Sequence, residues 1–187
     1  MKRGEAIAQV AGWLDPSFIS IACNGMISRE LYHQAERPSN FYMIGSMGLA
    51  SSIALGIALS RPSKTVVVFD GDGNLLMNLG MLANIAASKA GNLYHLVFDN
   101  GVYASTGGQR TISSCVPLES IARASGYRRA ARVETVPALM DALPVLFSEP
   151  GPAMLLVTVD SGNEPSVGRV KLLPAQLTDR LCAELSK

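Results

Sequence analysis

Asp72 has the clearest chemical potential in this chain. It stands between two glycines in FDGDGNLLMNLG, Phe69–Gly80, directly after a run of β-branched residues. A buried strand ending at Asp70, a Gly-Asp-Gly turn and a helix from Asn74 would let backbone N–H groups approach a ligand closely. The helix start would add a phosphate seat. An acidic side chain beside such a seat makes electrostatic sense when a hard divalent cation lies between the two. Asn100 follows 28 positions after Asp72, at the end of LYHLVFDN. One strand–helix–strand passage brings the chain back to the same sheet edge. Asp72, Asn100 and a backbone carbonyl can then share one Mg²⁺, with diphosphate oxygens and water completing its octahedron.

Other readings of the same residues fail on spacing. DGDGN resembles the start of a calcium loop, with Asp70, Asp72 and Asn74 at alternate positions. Leu75 stands where that loop needs its glycine, and Met81 where it needs its bidentate glutamate. No further glycine completes a dinucleotide fingerprint after Gly73, and no glycine loop ends in GKS or GKT.

The elements that must position these residues alternate in type. FISIAC (Phe18–Cys23), FYMI (Phe41–Ile44), TVVVFD (Thr65–Asp70), LYHLVFD (Leu93–Asp99), Ala130–Val133 and AMLLVTV (Ala153–Val159) read as strands. Helical patterns fall at Ser28–Ala35, Met47–Ser60, Asn74–Ser88, Leu118–Ser125, Val136–Phe147 and Pro174–Ser186. Short, continuously apolar strands are those of a sheet buried on both faces. The expected fold is therefore α/β: a three-layer, open, mainly parallel sheet with helices on both faces, as one domain over residues 1–187. The polar segment Asn100–Ser114 leaves the carboxyl end of a central strand, where open α/β sheets bind ligands. Gly48, Ser52 and Gly56 are spaced to allow a close helix contact.

Composition narrows the function classes. Apolar residues make up 48% and charged residues 17% of 187, enough for a buried core. A net charge of +1 gives no field to hold nucleic acid or an anionic membrane. Cys23, Cys115 and Cys182 lie far apart and odd in number, which points to a reducing, cytoplasmic setting. Glu5 interrupts the run that a signal peptide would need. His33 and His95 read as packing residues, Trp13 as an anchor for a first helix, and Arg123, Arg128, Arg129 and Arg132 as decoration of a helix–strand edge.

GDG followed by this spacing and Asn resembles the signature of thiamine-diphosphate enzymes. The resemblance implies that Asp72, Asn100 and the Val102 carbonyl ligate Mg²⁺, and that Gly71, Gly73 and Asn74 lie at the diphosphate. FYMIGSMGLASSIALGIAL, Phe41–Leu59, is similar to the segment that holds the bent coenzyme in that family. Gly45 would then offer its carbonyl to the aminopyrimidine, with Ser46 beside it and Met47 wedged between the two rings. Asp99 departs from a pattern in which many members carry a first asparagine.

CNGMISRELYH, GSMGLASS, GDGNLLMNLG and DNGVYASTGGQ together resemble the β-subunit type of sulfopyruvate decarboxylases and the C-terminal half of phosphonopyruvate decarboxylases. That implies loss of CO₂ from a 2-oxo acid, with sulfopyruvate giving sulfoacetaldehyde and phosphonopyruvate as the alternative substrate. Arg29, Gln109 and Arg110 are candidates for holding the substrate anion, with Tyr103, Ser105 and Thr106 in the same loop. No segment matches the pyrimidine-binding half, and Glu30, Glu36 and Glu119 all lie outside a suitable context for its activating glutamate. A separate α subunit is the expected partner; the alternative is that the 187 residues are one domain of a longer chain. A noncatalytic coenzyme-binding module is the competing class.

Overall fold

A computed structural model describes residues 1–162 and 166–187. Six strands form one sheet: β1 (Ile19–Ala22), β2 (Asn40–Tyr42), β3 (Val66–Gly71), β4 (Leu93–Asp99), β7 (Arg129–Val133) and β8 (Ala153–Thr158). Their order is β2-β1-β3-β4-β8-β7 and every pairing is parallel. A two-stranded antiparallel ribbon, β5 (Val102–Tyr103) with β6 (Gln109–Arg110), lies outside the sheet. The polar segment after β4 is thus a small hairpin.

The continuously apolar strands are buried throughout, as their sequence requires: every residue of β3 and β4 is inside. Phe69 and Phe98 stack with centroids 5.9 Å apart. One helix layer contains α1 (Arg3–Trp13), α2 (Met26–Ala35) and α7 (Val136–Phe147). The other contains α3 (Ala50–Ser60), α5 (Met81–Ser88) and α6 (Leu118–Ser125). Trp13 packs on Phe147, centroids 5.2 Å apart, beside Phe18 and Tyr94. The sole tryptophan thus ties α1 to α7. Helix α8 (Pro174–Leu185) covers the β2 edge, where Arg180 donates to the Arg37 carbonyl and pairs with Glu36 at 2.7 Å.

Between β1 and β3 the chain reverses direction across the sheet: it runs outward to β2, then returns past β1. A crevice forms at the carboxyl ends of the strands at such a switch point. It receives Cys23 and Asn24 after β1, the glycine turn after β3, and Asn100 after β4.

Three local expectations change. The helix expected over Asn74–Ser88 is two helices, α4 (Asp72–Leu76) and α5, separated by Met77–Gly80. Asn78 in the break donates to the Gly48 carbonyl at 3.2 Å and to Ser52 Oγ at 3.3 Å, tertiary bonds that pull the segment out of helical path. Residues 47–49 form a turn before α3 rather than its first residues, and Gly56 is exposed with open space where a Cβ would sit, so of the three small residues only Gly48 and Ser52 meet the Met77–Asn78 segment. His33 is exposed and packs nothing inside.

Candidate functional site

Asp72 is 2% exposed, as the first residue of α4. Its carboxylate accepts the Thr111 hydroxyl at 2.6 Å and, more weakly, the Ser113 hydroxyl at 3.4 Å. Backbone N–H groups of Gly73 and Asn100 also reach it, so the glycine turn and Asn100 meet at this side chain. Burial raises the Asp72 pKa; the Thr111 bond opposes the shift, and the Asp99 charge adds to it. Ser113 Oγ donates to Asp99 at 2.7 Å and thereby stands between the two carboxylates. Asn100 Oδ1 accepts from the Val102 N–H at 3.2 Å.

Asp72, Asn100 and Val102 line a cleft of about 60 Å³ with Cys23, Asn24, Met47, Gly71, Gly73 and Tyr103, while Asp99, Thr111 and Ser113 sit behind Asp72. Burial pushes the Cys23 thiol well up, which makes it an inert wall. Asn24 Oδ1 is buried with no hydrogen-bond partner. A Cβ on Gly73 would meet the Tyr103 ring at 2.7 Å, so only glycine admits this approach. Helix α4 is five residues long, which limits any dipole effect, and it starts at Asp72 directly after Gly71, the last residue of β3, so the expected Gly-Asp-Gly turn is a strand-to-helix junction.

Met47 reaches the cleft from a strained turn. Ser46 has φ 60° and Gly48 φ 94°. A non-glycine residue in that region costs about 1–3 kcal/mol and persists when its surroundings over-determine it. Here the Leu49 N–H bonds to the Ser46 carbonyl at 3.1 Å, the Gly48 N–H to Asn74 Oδ1 at 2.7 Å, and Asn78 holds the Gly48 carbonyl. A Cβ on Gly48 would lie 2.9 Å from Met77 Cβ.

The structure therefore gathers Met47, Gly71, Asp72, Gly73, Asn74, Asn100 and Val102 at one cleft. Gly45 and Ser46 lie one step away in an apolar groove with Phe41, Leu49 and Leu177. Tyr103 and Ser105 line the cleft, whereas Thr106, Gln109, Arg110 and Arg29 do not. Gln109 and Arg110 are exposed on β6 and Arg29 leans on Met26. Glu30, Glu36 and Glu119 are each tied to an arginine, respectively Arg3, Arg180 and Arg132. Asn24, Thr111 and Ser113 had escaped notice in the sequence. Thr111 and Ser113 alternate around an exposed isoleucine (Thr-Ile-Ser) and bond the two carboxylates from behind, a signal too short to stand out.

Residues 20–157 match the model of the thiamine pyrophosphate enzyme C-terminal TPP-binding domain. The chain belongs to the thiamine pyrophosphate enzyme family. It is 45% identical over 163 residues to phosphonopyruvate decarboxylase of Streptomyces viridochromogenes, covering 87% of this chain and 41% of that one. To sulfopyruvate decarboxylase subunit beta of Methanothermobacter thermautotrophicus it is 47% identical over 128 residues, 68% of either chain. Benzoylformate decarboxylase of Polynucleobacter necessarius shares the fold, with a TM-score of 0.72, 17% identity, and coverage of 88% of this chain and 34% of that one. The chain spans less than half the length of the phosphonopyruvate decarboxylases it matches. Among the described residues no helix is long and apolar enough to cross a membrane.

The chemistry of the cleft residues suits part of the family's coenzyme, its diphosphate, and the usual ion. Asp72 and Asn100 bring a carboxylate and a carboxamide to the cleft, oxygen groups of the kind a hard cation takes. Raising of the Asp72 pKa by burial and by Asp99 marks a place where positive charge is wanted. Glycines at 71 and 73 keep the backbone bare beside it.

Proposed function

We propose that this chain is the diphosphate-binding β subunit of a thiamine-diphosphate- and Mg²⁺-dependent 2-oxo-acid decarboxylase acting on sulfopyruvate. One observation carries the reading: the Asn100 N–H reaches the Asp72 carboxylate, so the two motif residues share one small volume. Asp72, Asn100 Oδ1 and the Val102 carbonyl hold the cation, and the turn at Gly71–Asn74 holds the diphosphate. Gly45 and Ser46 would lie toward the pyrimidine, and Met47 would be the wedge between the coenzyme's two rings. The coenzyme, when bound, supplies the electron sink for loss of CO₂. The chain's own work is to bind, orient and keep water from the reacting carbon.

A cleft of about 60 Å³ is a fraction of the ~300–1,000 Å³ of a site for a cofactor-sized ligand. This supports a reading in which the chain supplies one wall and an α subunit with a pyrimidine-binding domain and its glutamate supplies the other. Ile44, Leu49 and Met77 are 63%, 44% and 54% exposed around the Met47 turn, an apolar rim suited to that partner. The name of the Methanothermobacter relative, a subunit beta 47% identical over 128 residues, supports a partner on a separate chain. That resemblance also favours sulfopyruvate over phosphonopyruvate; both are tetrahedral anions that a guanidinium fork accepts. Arg29, Gln109 and Arg110 lie outside the cleft, and Arg3, which lines it, is paired with Glu30, so the partner supplies the anion's counter-charge.

The test compares kcat/KM for both acids with the purified chain alone and with its partner. The expected result is turnover only in the assembled enzyme, with sulfopyruvate preferred. Full turnover by the chain alone refutes the divided site. A phosphonopyruvate preference of about tenfold, ~1.4 kcal/mol in the transition state, refutes the substrate assignment.

A further inference from the structure

A buried chain of hydrogen bonds runs beneath the cleft, and its inner members do not line it. Tyr127 OH lies 3.4 Å from His95 Nδ1, and His95 Nε2 lies 2.9 Å from Asp70 Oδ2. Asp70 Oδ1 accepts from the Gly71 N–H at 2.8 Å and from Asn74 Nδ2 at 2.5 Å. Asn74 Oδ1 in turn accepts from the Gly48 N–H at 2.7 Å. His95 and Asp70 are fully buried, and Tyr127 and Asn74 nearly so. A carboxylate only accepts, so His95 donates through Nε2 to Asp70, and its Nδ1 faces the Tyr127 hydroxyl. Burial pushes the Tyr127 pKa up, which keeps the hydroxyl a donor. Each member is satisfied by the next, and Asn74 uses both ends of its carboxamide. This direction of bonding orients the amide: its oxygen must face Gly48 because its nitrogen faces Asp70.

The chain ends on the turn whose backbone is least relaxed, Ser46–Gly48. We propose that His95 and Asp70 are positioning residues for Met47: through Asn74 they hold the Gly48 N–H, and so fix the turn that carries the Met47 side chain into the cleft. Neither residue touches the cleft. They act on it through the carboxamide of Asn74, which belongs both to the cleft wall and to the buried chain. Asn78 grips the same residue from its carbonyl side, so the two peptide groups that flank the Gly48 Cα are both held. The inference rests on the function proposed above only in the use to which Met47 is put.

Hydrogen–deuterium exchange on the coenzyme-free full chain reads the Gly48 and Leu49 amides directly. His95→Leu should raise exchange of residues 46–49 about tenfold, as expected when a buried donor or acceptor loses its partner. Strand β8 should stay within about threefold of wild type, since the opening is local. His95→Gln, whose side-chain amide can donate to Asp70, should restore protection of residues 46–49. Affinity of the assembled enzyme for thiamine diphosphate with Mg²⁺ should fall in His95→Leu and recover in His95→Gln. Should His95→Leu not fold, Asn74→Ala breaks the same link from the helix end and must show the same local rise. Unchanged exchange at residues 46–49 in Asn74→Ala, a uniform rise across the sheet, or a rise that His95→Gln leaves in place overturns the proposal. Failure of the wild-type enzyme to bind coenzyme refutes the function proposed above and leaves the exchange result to decide this one.

Discussion

Asp72→Asn should make the coenzyme-free chain more stable and abolish its response to Mg²⁺. The substitution keeps the shape of the side chain and an oxygen for the Thr111 hydroxyl, which sits 2.6 Å away. It removes a charge that faces Asp99. The two facing carboxylate oxygens lie no more than about 6 Å apart, since both reach Ser113 Oγ, at 2.7 and 3.4 Å. At that separation, like charges repel by about 3 kcal/mol at an effective dielectric of about 20, and by about 0.7 kcal/mol in water. Weakening of the charge-assisted Thr111 bond offsets about 1 kcal/mol of this. At the effective dielectric of about 20 the net gain is about 2 kcal/mol, or about 4–8 °C in Tm for a chain of this size. Because the folded carboxyl has a raised pKa, the folded chain holds a proton that the unfolded chain has released. Stability of the coenzyme-free chain therefore falls as pH rises from 3.8 toward the raised value, and the asparagine variant should lack that decline. Scanning calorimetry in chelator, then with Mg²⁺ and thiamine diphosphate on the assembled enzyme, measures both arms. Wild type should gain about 2.7 kcal/mol at a ligand concentration of a hundred times Kd, and the variant should gain none. A lower Tm for the variant in chelator, or equal ligand-induced shifts, would refute the electrostatic account.

Two further outcomes follow from the same geometry. Gly48→Ala forces a Cβ to within 2.9 Å of Met77 Cβ in a residue at φ 94°, and should cost about 1–3 kcal/mol by chemical denaturation; a loss under 0.5 kcal/mol would contradict the tight fit of the turn. Ile44→Lys with Leu49→Lys should leave the chain's own Tm within about 1–2 °C, because both side chains are exposed, while weakening assembly with the partner at least about tenfold by analytical ultracentrifugation; unchanged assembly would place the interface elsewhere.

The sequence and the structure agree where local pattern and burial coincide. Strand β4 and helices α6 and α7 carry the bounds their apolar spacing suggests, and Asp72 meets Asn100 because one βαβ passage leaves no other route. The break at Met77–Gly80 was not legible, since Asn78 leaves the helical path for partners in a segment 26 and 30 residues away. Nor was the role of His95: in LYHLVFD it reads as one more strand residue, and only the register that sets it against Val68 brings it near Asp70. Thr111 and Ser113 became part of the site through the β5–β6 hairpin, which folds a polar segment back over the end of β4. Arg29, Gln109 and Arg110 show the converse, since charge and proximity in sequence did not bring them to the cleft.

The position of Trp13 has a practical consequence. It is the chain's one tryptophan, and it sits in the cluster of Phe18, Phe147 and Tyr94 at the start of β4. The cleft opens beyond Asp99, at the other end of that strand, about 16 Å away along its axis. Intrinsic fluorescence is therefore a gauge of whether α1 remains docked on α7, and the arrival of a small molecule at the glycine turn should leave it dark. An optical titration of this protein needs a second fluorophore, introduced on the exposed rim beside Met77, where the signal originates close to the event.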